Sequence, residues 1–281
     1  MRIDAHQHYW RINRNDYGWI TRDINVLYRD FFPRDLSPHL QSHGIDKTIV
    51  VQAAPTVEET EFLLHLSEQE ETIVGVVGWF DLADPFHRKH FDRFSQYKKF
   101  VGFRVMIQDM EDPSLILRPN VIDALREYAK LNVPVDLLVK ASQLPVLLKL
   151  LKAVPRMRGV VDHLAKPDIA HASLQPWKEH MAEIASYPQI YCKLSGMVTE
   201  AEREKWAPSD FTAYVLHIIE VFGAERVIYG SDWPVCLLAA SYDDVWQLAN
   251  SSLPETLLEP ERANIFGYNA ARFYKLPSNV L

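Results

Sequence analysis

Residues 1–8 read Met1-Arg2-Ile3-Asp4-Ala5-His6-Gln7-His8, a short apolar run that ends in two histidines one residue apart. In a β-strand, alternate side chains point to the same face, so this pattern predicts that His6 and His8 lie side by side. Two imidazoles so placed can bind one metal ion, one water molecule or one substrate oxygen. In α/β barrels, functional residues gather at the C-terminal ends of the strands. The stretch therefore predicts the first strand of a barrel, with functional residues at its C-terminal end. This interpretation requires that later strands place further polar residues beside His6 and His8.

Seven further short runs rich in β-branched residues follow, separated by segments with helical signals. Eight strand–helix units in 281 residues predict an α/β fold, a single-domain (β/α)8 TIM barrel over residues 1–281, with a helical extension at about residues 254–276. The alternative is a doubly wound open sheet, but no Gly-rich phosphate-binding turn follows the first strand. The predicted strands are 2–6, 48–53, 74–80, 101–106, 133–139, 159–163, 190–194 and 227–230.

Local signals predict where several helices begin. Thr56 and Glu59 have the spacing of a capping box that opens a helix at 57–71, and Asp84-Pro85 predicts a helix whose first residue is the proline. The irregular stretch Tyr9–Pro33 is long and aromatic, and we interpret it either as a wall of the site or as a plug over the barrel. The other predicted helices are 119–131, 142–153, 176–187, 208–222 and 242–249.

Composition excludes several classes of protein. A net charge of −7 and a pI of about 5.9 argue against a nucleic-acid surface and against an anionic membrane as partner. No apolar stretch reaches the ~18 residues of a membrane span. The two cysteines, Cys192 and Cys236, form neither a disulfide framework nor a metal knuckle. We therefore expect a cytoplasmic protein that binds a small molecule; its oligomeric state is not specified by these patterns.

Polar residues gather at the ends of the predicted strands, and a barrel would bring them to one mouth. Asp232 is a candidate general base that takes a proton from water, or alternatively a helix cap. His6, His8 and Asp232 can together hold one divalent ion such as zinc, or can bind the substrate with no metal. His163 is a further nitrogen donor, or a buried histidine of the core.

Four other residues are candidates for substrate binding. Arg104 is costly to bury without a partner and is either a substrate clamp or the partner of Asp136 or Asp162. Lys166 either stabilises a developing oxyanion or is solvated. Trp79 and Trp233 can stack on a ring, or can fill the core. Cys192 has no neighbouring histidine and is expected to be inert, and the Gly-x-Ser-x-Gly elbow of serine hydrolases is absent.

The motifs, taken together, resemble the amidohydrolase superfamily, of the amidohydrolase-2 type. The resemblance is closest to its sugar-acid lactonase branch, the L-fuconolactonase and L-rhamnonolactonase type. It rests on six blocks between residues 4 and 234: Asp4-Ala5-His6-Gln7-His8, Trp79-Phe80-Asp81-Leu82, Gly102-Phe103-Arg104, Val135-Asp136-Leu137-Leu138, Asp162-His163-Leu164-Ala165-Lys166-Pro167 and Gly230-Ser231-Asp232-Trp233-Pro234.

The resemblance implies a (β/α)8 barrel in which Asp232 activates water against a lactone carbonyl, with His6, His8 and His163 around the reacting centre. Val105 stands where the branch often has a histidine. Arg104 stands in the strand that supplies the metal-bridging residue of binuclear members. Because arginine keeps its proton, a site with one divalent metal or none is expected.

Three functions follow from these observations. The first is hydrolysis of a sugar-derived aldonic-acid lactone in carbohydrate catabolism. The second is zinc-dependent decarboxylation of an aromatic or unsaturated carboxylic acid, which related barrels also perform. The third is a barrel that binds a sugar acid without turnover, although a pure binding protein has no need of a general base.

Overall fold

The computed structural model describes residues 1–277. Eight parallel strands form one sheet in the order β1 to β8, and each pairs with its sequence neighbour. The sheet closes between its first and last strands, where the Asp232 backbone N–H donates to the His6 carbonyl at 2.7 Å and His8 N–H donates to Trp233 at 2.7 Å. The strands are β1 (Ile3–Gln7), β2 (Lys47–Val51), β3 (Ile73–Gly78), β4 (Phe100–Met106), β5 (Pro134–Leu138), β6 (Arg158–Val161), β7 (Ile190–Leu194) and β8 (Val227–Tyr229).

The predicted TIM barrel is therefore confirmed, and every predicted strand is present within a few residues of its expected ends. Helices join the strands and cover the outside of the barrel. They are α1 (Pro33–His43), α2 (Val57–Gln69), α3 (His87–Phe94), α4 (Pro119–Lys130), α5 (Leu144–Ala153), α6 (Trp177–Ala185), α7 (Ser209–Phe222), α8 (Tyr242–Ser251), α9 (Glu259–Ala263) and α10 (Asn269–Phe273), with a π-helical turn at Asn264–Tyr268 between the last two. The last residues of the predicted domain, 278–281, lie outside the described part of the chain.

The start of one helix and the cap of another differ from the sequence prediction. The prediction of a helix that begins at Pro85 is wrong, because Asp84 instead caps a turn and α3 begins at His87. At α2 the cap is only half of a capping box. Thr56 Oγ1 accepts from the Glu59 backbone N–H at 3.1 Å. The Glu59 carboxylate accepts from Ala53 and Ala54 rather than from Thr56, and so ties the end of β2 to the helix.

The core has two parts, one between the strands and the helices and one inside the barrel. The inner part includes Ile49, Val51, Val160 and Ile228 together with Tyr274 from the end of the described chain. Both faces of the strands are therefore buried, as is typical of parallel sheets. Tyr274 donates from its hydroxyl to Asp136 Oδ1 at 2.8 Å. The chain after α10 thus reaches into the barrel, on the floor beneath the strand ends that carry the site.

Candidate active site

Asp232, after β8, is surrounded by three imidazoles. Its Oδ1 lies 3.3 Å from His8 Nε2, 3.8 Å from His6 Nε2 and 3.9 Å from His163 Nε2. All four residues are buried. They come from the ends of β1, β6 and β8, so the barrel brings together residues separated by more than 200 positions in the chain.

Two of these residues have unusual backbone geometry. Asp232 has φ +58° and His163 has φ +54°, and the three residues after His163 also have positive φ. This left-handed region is sparsely populated by residues other than glycine. Such strain persists only where surrounding contacts impose it, and it clusters at functional sites. Here His163 is held by a hydrogen bond of 2.9 Å between its Nδ1 and Ser195 Oγ.

The hydrogen bonds of His8 define the charge next to Asp232. Its Nδ1 lies 2.8 Å from the Val51 carbonyl oxygen, which can only accept, so Nδ1 carries a proton. The opposite nitrogen, Nε2, faces the carboxylate of Asp232. If Nε2 carried no proton, its lone pair would face the carboxylate oxygen at 3.3 Å, which is repulsive. A positive charge between Nε2 and Asp232 Oδ1 removes this repulsion. Either a proton on Nε2 or a bound metal ion supplies this charge.

Beneath the imidazoles lies a network of buried charges that the sequence prediction missed. Lys193 Nζ lies 3.0 Å from His6 Nδ1 and 3.2 Å from Asp162 Oδ1, and it also contacts Asp136. All four side chains are fully buried. The available signal was a lysine inside the otherwise apolar strand β7, since an unpaired buried ammonium is prohibitively costly.

Arg104 has one of the two partners considered for it. Its Nη1 lies 3.6 Å from Asp162 Oδ2, and its Nε donates to Gln52 Oε1 at 2.7 Å. Asp136 is paired with Lys193 and Tyr274 instead. Arg104 nevertheless lines the cavity above Asp232, so an ion pair and a place beside the substrate are both compatible with its position.

Burial and charge shift the protonation of this cluster. Burial, reinforced by the Lys193 ammonium, lowers the pKa of His6 well below its usual value, and burial does the same to the pKa of His163. Both are therefore neutral imidazoles at neutral pH. Burial would raise the pKa of Asp232, but the hydrogen bond from His8 and the Lys166 ammonium lower it, and the net shift is downward. Asp232 is thus ionised, which is the form that a base requires.

A cavity of about 640 Å³ opens above this cluster. Lys166 stands on its wall, 3.4 Å from Glu200 Oε1 and partly exposed. The stretch Tyr9–Pro33 has both of the roles considered for it, a wall of the site and a plug over the barrel. Trp19 lines the cavity, whereas Trp10 and Phe31 pack in an aromatic cluster. The residues around the mouth and floor are His8, Asp16, Trp19, Arg104, His163, Lys166, Glu200, Arg203 and Asp232.

The two candidate tryptophans lie elsewhere. Trp233 is only 2% exposed, and it packs edge-on against Phe31 at a centroid distance of 5.2 Å. It is not among the residues that line the cavity over Asp232. Trp79 lines a second, adjoining cavity. Of the predicted residues, the structure thus brings His6, His8, His163, Arg104, Lys166 and Asp232 together, and leaves Trp79 and Trp233 outside that group.

The donor set is compatible with one metal ion. His6, His8 and Asp232 each offer one possible ligand atom, and these three atoms lie within 4.8 Å of one another. His6, Asp162 and His163 form a second group of this kind. His6 Nε2 is buried and has no hydrogen-bond partner among the described residues. Two imidazole nitrogens and one carboxylate are ligands that suit zinc.

The barrel and the residues at its strand ends define an amidohydrolase. Residues 3–276 match the model of the amidohydrolase family, and the chain belongs to that family. It is 38% identical to an L-fucono-1,5-lactonase of Burkholderia ambifaria, over 98% of this chain and 96% of that protein. It is also 38% identical to an L-fucono-1,5-lactonase of Burkholderia multivorans, over 99% and 97%.

A solved structure is similar throughout its length. The crystal structure of an amidohydrolase from Burkholderia multivorans with bound zinc superposes with a TM-score of 0.92 at 36% identity, over 99% of this chain and 100% of that chain. The resemblance to the lactonase branch inferred from the motifs is confirmed. No helix among residues 1–277 is long and apolar enough to cross a membrane.

Proposed function

We propose that this chain is a lactonase that opens a sugar-derived aldonic-acid lactone similar to L-fucono-1,5-lactone. The observation that carries the proposal is the buried Asp232 carboxylate, surrounded by three imidazoles at the floor of a cavity large enough for a sugar. The names of the two relatives, 38% identical over nearly the whole chain, support the same reaction. A role in carbohydrate catabolism in the cytoplasm follows from that substrate class as part of the proposal.

Asp232 acts as the general base. It takes a proton from water as the water oxygen bonds to the carbonyl carbon of the lactone. The developing oxyanion needs preorganised hydrogen-bond donors or positive charge around it, and neutral His163 and the Lys166 ammonium stand beside Asp232 to supply them. When the bond between the carbonyl carbon and the ring oxygen breaks, Asp232 returns its proton to that oxygen, and the hydroxy acid leaves.

His6, His8 and Asp232 are the residues that would hold a single divalent ion such as zinc. Such an ion would polarise the carbonyl and lower the pKa of water. A binuclear site is not proposed, because Arg104 occupies the strand that would supply the bridging ligand.

The alternatives have less support. The two curated relatives carry lactonase names, and no feature of the site specifically favours decarboxylation. A protein that only binds a sugar acid would gain nothing from an ionised carboxylate buried among imidazoles, which is costly to maintain.

The test is proton release from a lactone panel that includes L-fucono-1,5-lactone and L-rhamnono-γ-lactone. Release of CO2 from aromatic acids and the metal content are measured on the same sample. Asp232→Asn should lose at least ~100-fold in kcat. Asp123→Asn, at an exposed position of α4, is the matched control and should retain full activity. Full activity in Asp232→Asn would contradict the mechanism, and a panel with no lactone hydrolysed would contradict the function.

A further inference from the structure

A second cavity, which we call the side cavity, adjoins the one above Asp232. It has a volume of about 330 Å³ and lies between the segments that follow β3 and β4. Both cavities are lined by Pro55, Arg104, Met106 and Asp109, so the two share a common wall. Most of the exposed surface of the side cavity is apolar and comes from residues such as Trp79, Leu82, Met110, Leu115 and Ile116. The charged residues Asp81, Arg104, Asp109 and Arg118 also line it.

Arg104, in the common wall, is connected to the reacting centre through contacts between buried side chains. Arg104 Nη1 lies 3.6 Å from Asp162 Oδ2, and Asp162 Oδ1 lies 3.4 Å from His6 Nδ1. His6 in turn faces Asp232. The side chain of Arg104 is held by Gln52 as well, so it is a fixed part of the boundary. Because Pro55, Arg104, Met106 and Asp109 line both cavities, a ligand whose carbonyl lies at Asp232 has the side cavity next to it, across this shared wall.

A sugar lactone does not account for this space. Each of its roughly twelve non-hydrogen atoms occupies less than the ~30 Å³ share of a water molecule. The cavity of about 640 Å³ over Asp232 is therefore already large enough for the whole molecule. Its hydroxyl groups would also lose hydrogen bonds against the apolar walls of the side cavity, at a cost. An alkyl or aryl group would gain free energy in the same place, because its apolar surface leaves water.

We propose that the same catalytic centre also hydrolyses lactones that carry an alkyl or aryl substituent on the ring, with the substituent in the side cavity. This rests on the proposed lactonase function. The chemistry is balanced as for a sugar lactone. The water oxygen bonds to the carbonyl carbon, the bond from that carbon to the ring oxygen breaks, and the water proton passes through Asp232 to the ring oxygen. The product is a hydroxy acid with an apolar chain.

The test uses δ-valerolactone, δ-hexalactone, δ-octalactone and δ-decalactone, which differ in chain length, alongside L-fucono-1,5-lactone. The side cavity predicts that kcat/KM rises with chain length, by up to about four-fold for each methylene buried. Two variants fill or charge the cavity: Ala83→Phe, at an exposed position on its wall, and Leu115→Asp. In both, the ratio of kcat/KM for δ-decalactone to that for δ-valerolactone should fall at least ten-fold. Ala213→Phe, on the exposed side of α7, should leave this ratio as in the wild type.

The outcomes separate the two proposals. If L-fucono-1,5-lactone is hydrolysed but kcat/KM does not rise along the δ-lactone series, the side-cavity proposal is overturned and the sugar lactonase proposal stands. A rise that persists unchanged in both Ala83→Phe and Leu115→Asp also overturns the side-cavity proposal. If no lactone of either kind is hydrolysed, the proposed function itself fails.

Discussion

The ammonium of Lys193 lies 3.0 Å from Nδ1 of His6, and both side chains are fully buried. An ammonium can only donate, so Nδ1 accepts and the proton of the neutral imidazole is on Nε2. A metal ion at Nε2 requires the other tautomer, with a proton on Nδ1. Asp162 Oδ1, 3.4 Å from Nδ1, is the acceptor for that proton. Lys193 therefore stabilises the tautomer of His6 that does not bind a metal.

Replacing Lys193 by methionine should tighten zinc binding at least ten-fold, because the variant removes a buried positive charge and releases His6 Nδ1. Isothermal titration with zinc at pH 7 measures this, with Lys149→Met on the exposed side of α5 as control. The fold should lose about 3–5 kcal/mol, since the buried Asp136 carboxylate loses its cationic partner. The double variant Lys193→Met/Asp136→Asn removes one charge of each sign and keeps the binding test accessible. Unchanged zinc affinity in both variants would refute this role for Lys193.

Lys166 is predicted to act on the transition state rather than to be merely solvated. Lys166→Met should lower kcat for L-fucono-1,5-lactone by about 100-fold with a smaller change in KM, as expected when a group that stabilises the oxyanion is removed. Lys178→Met, on α6, provides the comparison. Equal kinetics in the two variants would mean that the Lys166 ammonium only pairs with Glu200.

Gly230 is predicted to position His6. A Cβ at residue 230 would lie 2.5 Å from His6 Cβ, so Gly230→Ala must displace the imidazole. We expect a loss of about 1–3 kcal/mol in the free energy of unfolding, together with a large fall in kcat. Gly267→Ala is the matched control, because its Cβ would lie 2.4 Å from the Met1 carbonyl at the start of the chain, remote from the site. Similar kcat values in the two variants would count against positioning by Gly230.

Glu59 should make stability depend on pH. Burial raises the pKa of Glu59 from 4.5 to about 7, although the Ala54 and Ala53 N–H groups partly offset this. The folded state thus holds the proton more tightly than the unfolded state. The resulting stability is fully present below pH 4.5 and is lost as the pH rises to about 7, a fall of about 3 kcal/mol.

Urea unfolding at pH 5 and pH 8 measures the effect of Glu59. The difference in unfolding free energy between the wild type and Glu59→Gln should be about 3 kcal/mol smaller at pH 8 than at pH 5. Glu61→Gln, at a half-exposed position on the same helix, is the control, and for it the difference should not change. A pH-independent difference for Glu59→Gln would show that its carboxyl titrates normally.

Much of the fold could be predicted because strand patterns are local. The apolar runs are read directly from neighbouring residues, and all eight strands were located. Helix α1 was missed, because its sequence is polar and contains Pro38, and its stability depends on packing of Leu36 and Leu40 against the barrel. The start of α3 was misplaced because Asp84 can cap a turn as readily as a helix.

By itself, the sequence determined that His6, His8, His163 and Asp232 would meet, since the C-terminal ends of parallel barrel strands share one rim. Only the tertiary structure decided which charges pair beneath that rim. Lys193 contacts Asp136, Asp162 and His6 from three other strands, and such partners are chosen by distances across the barrel rather than by spacing along the chain. The burial of Trp233 and the presence of the side cavity depend on those same distances, because packing is a property of the assembled barrel.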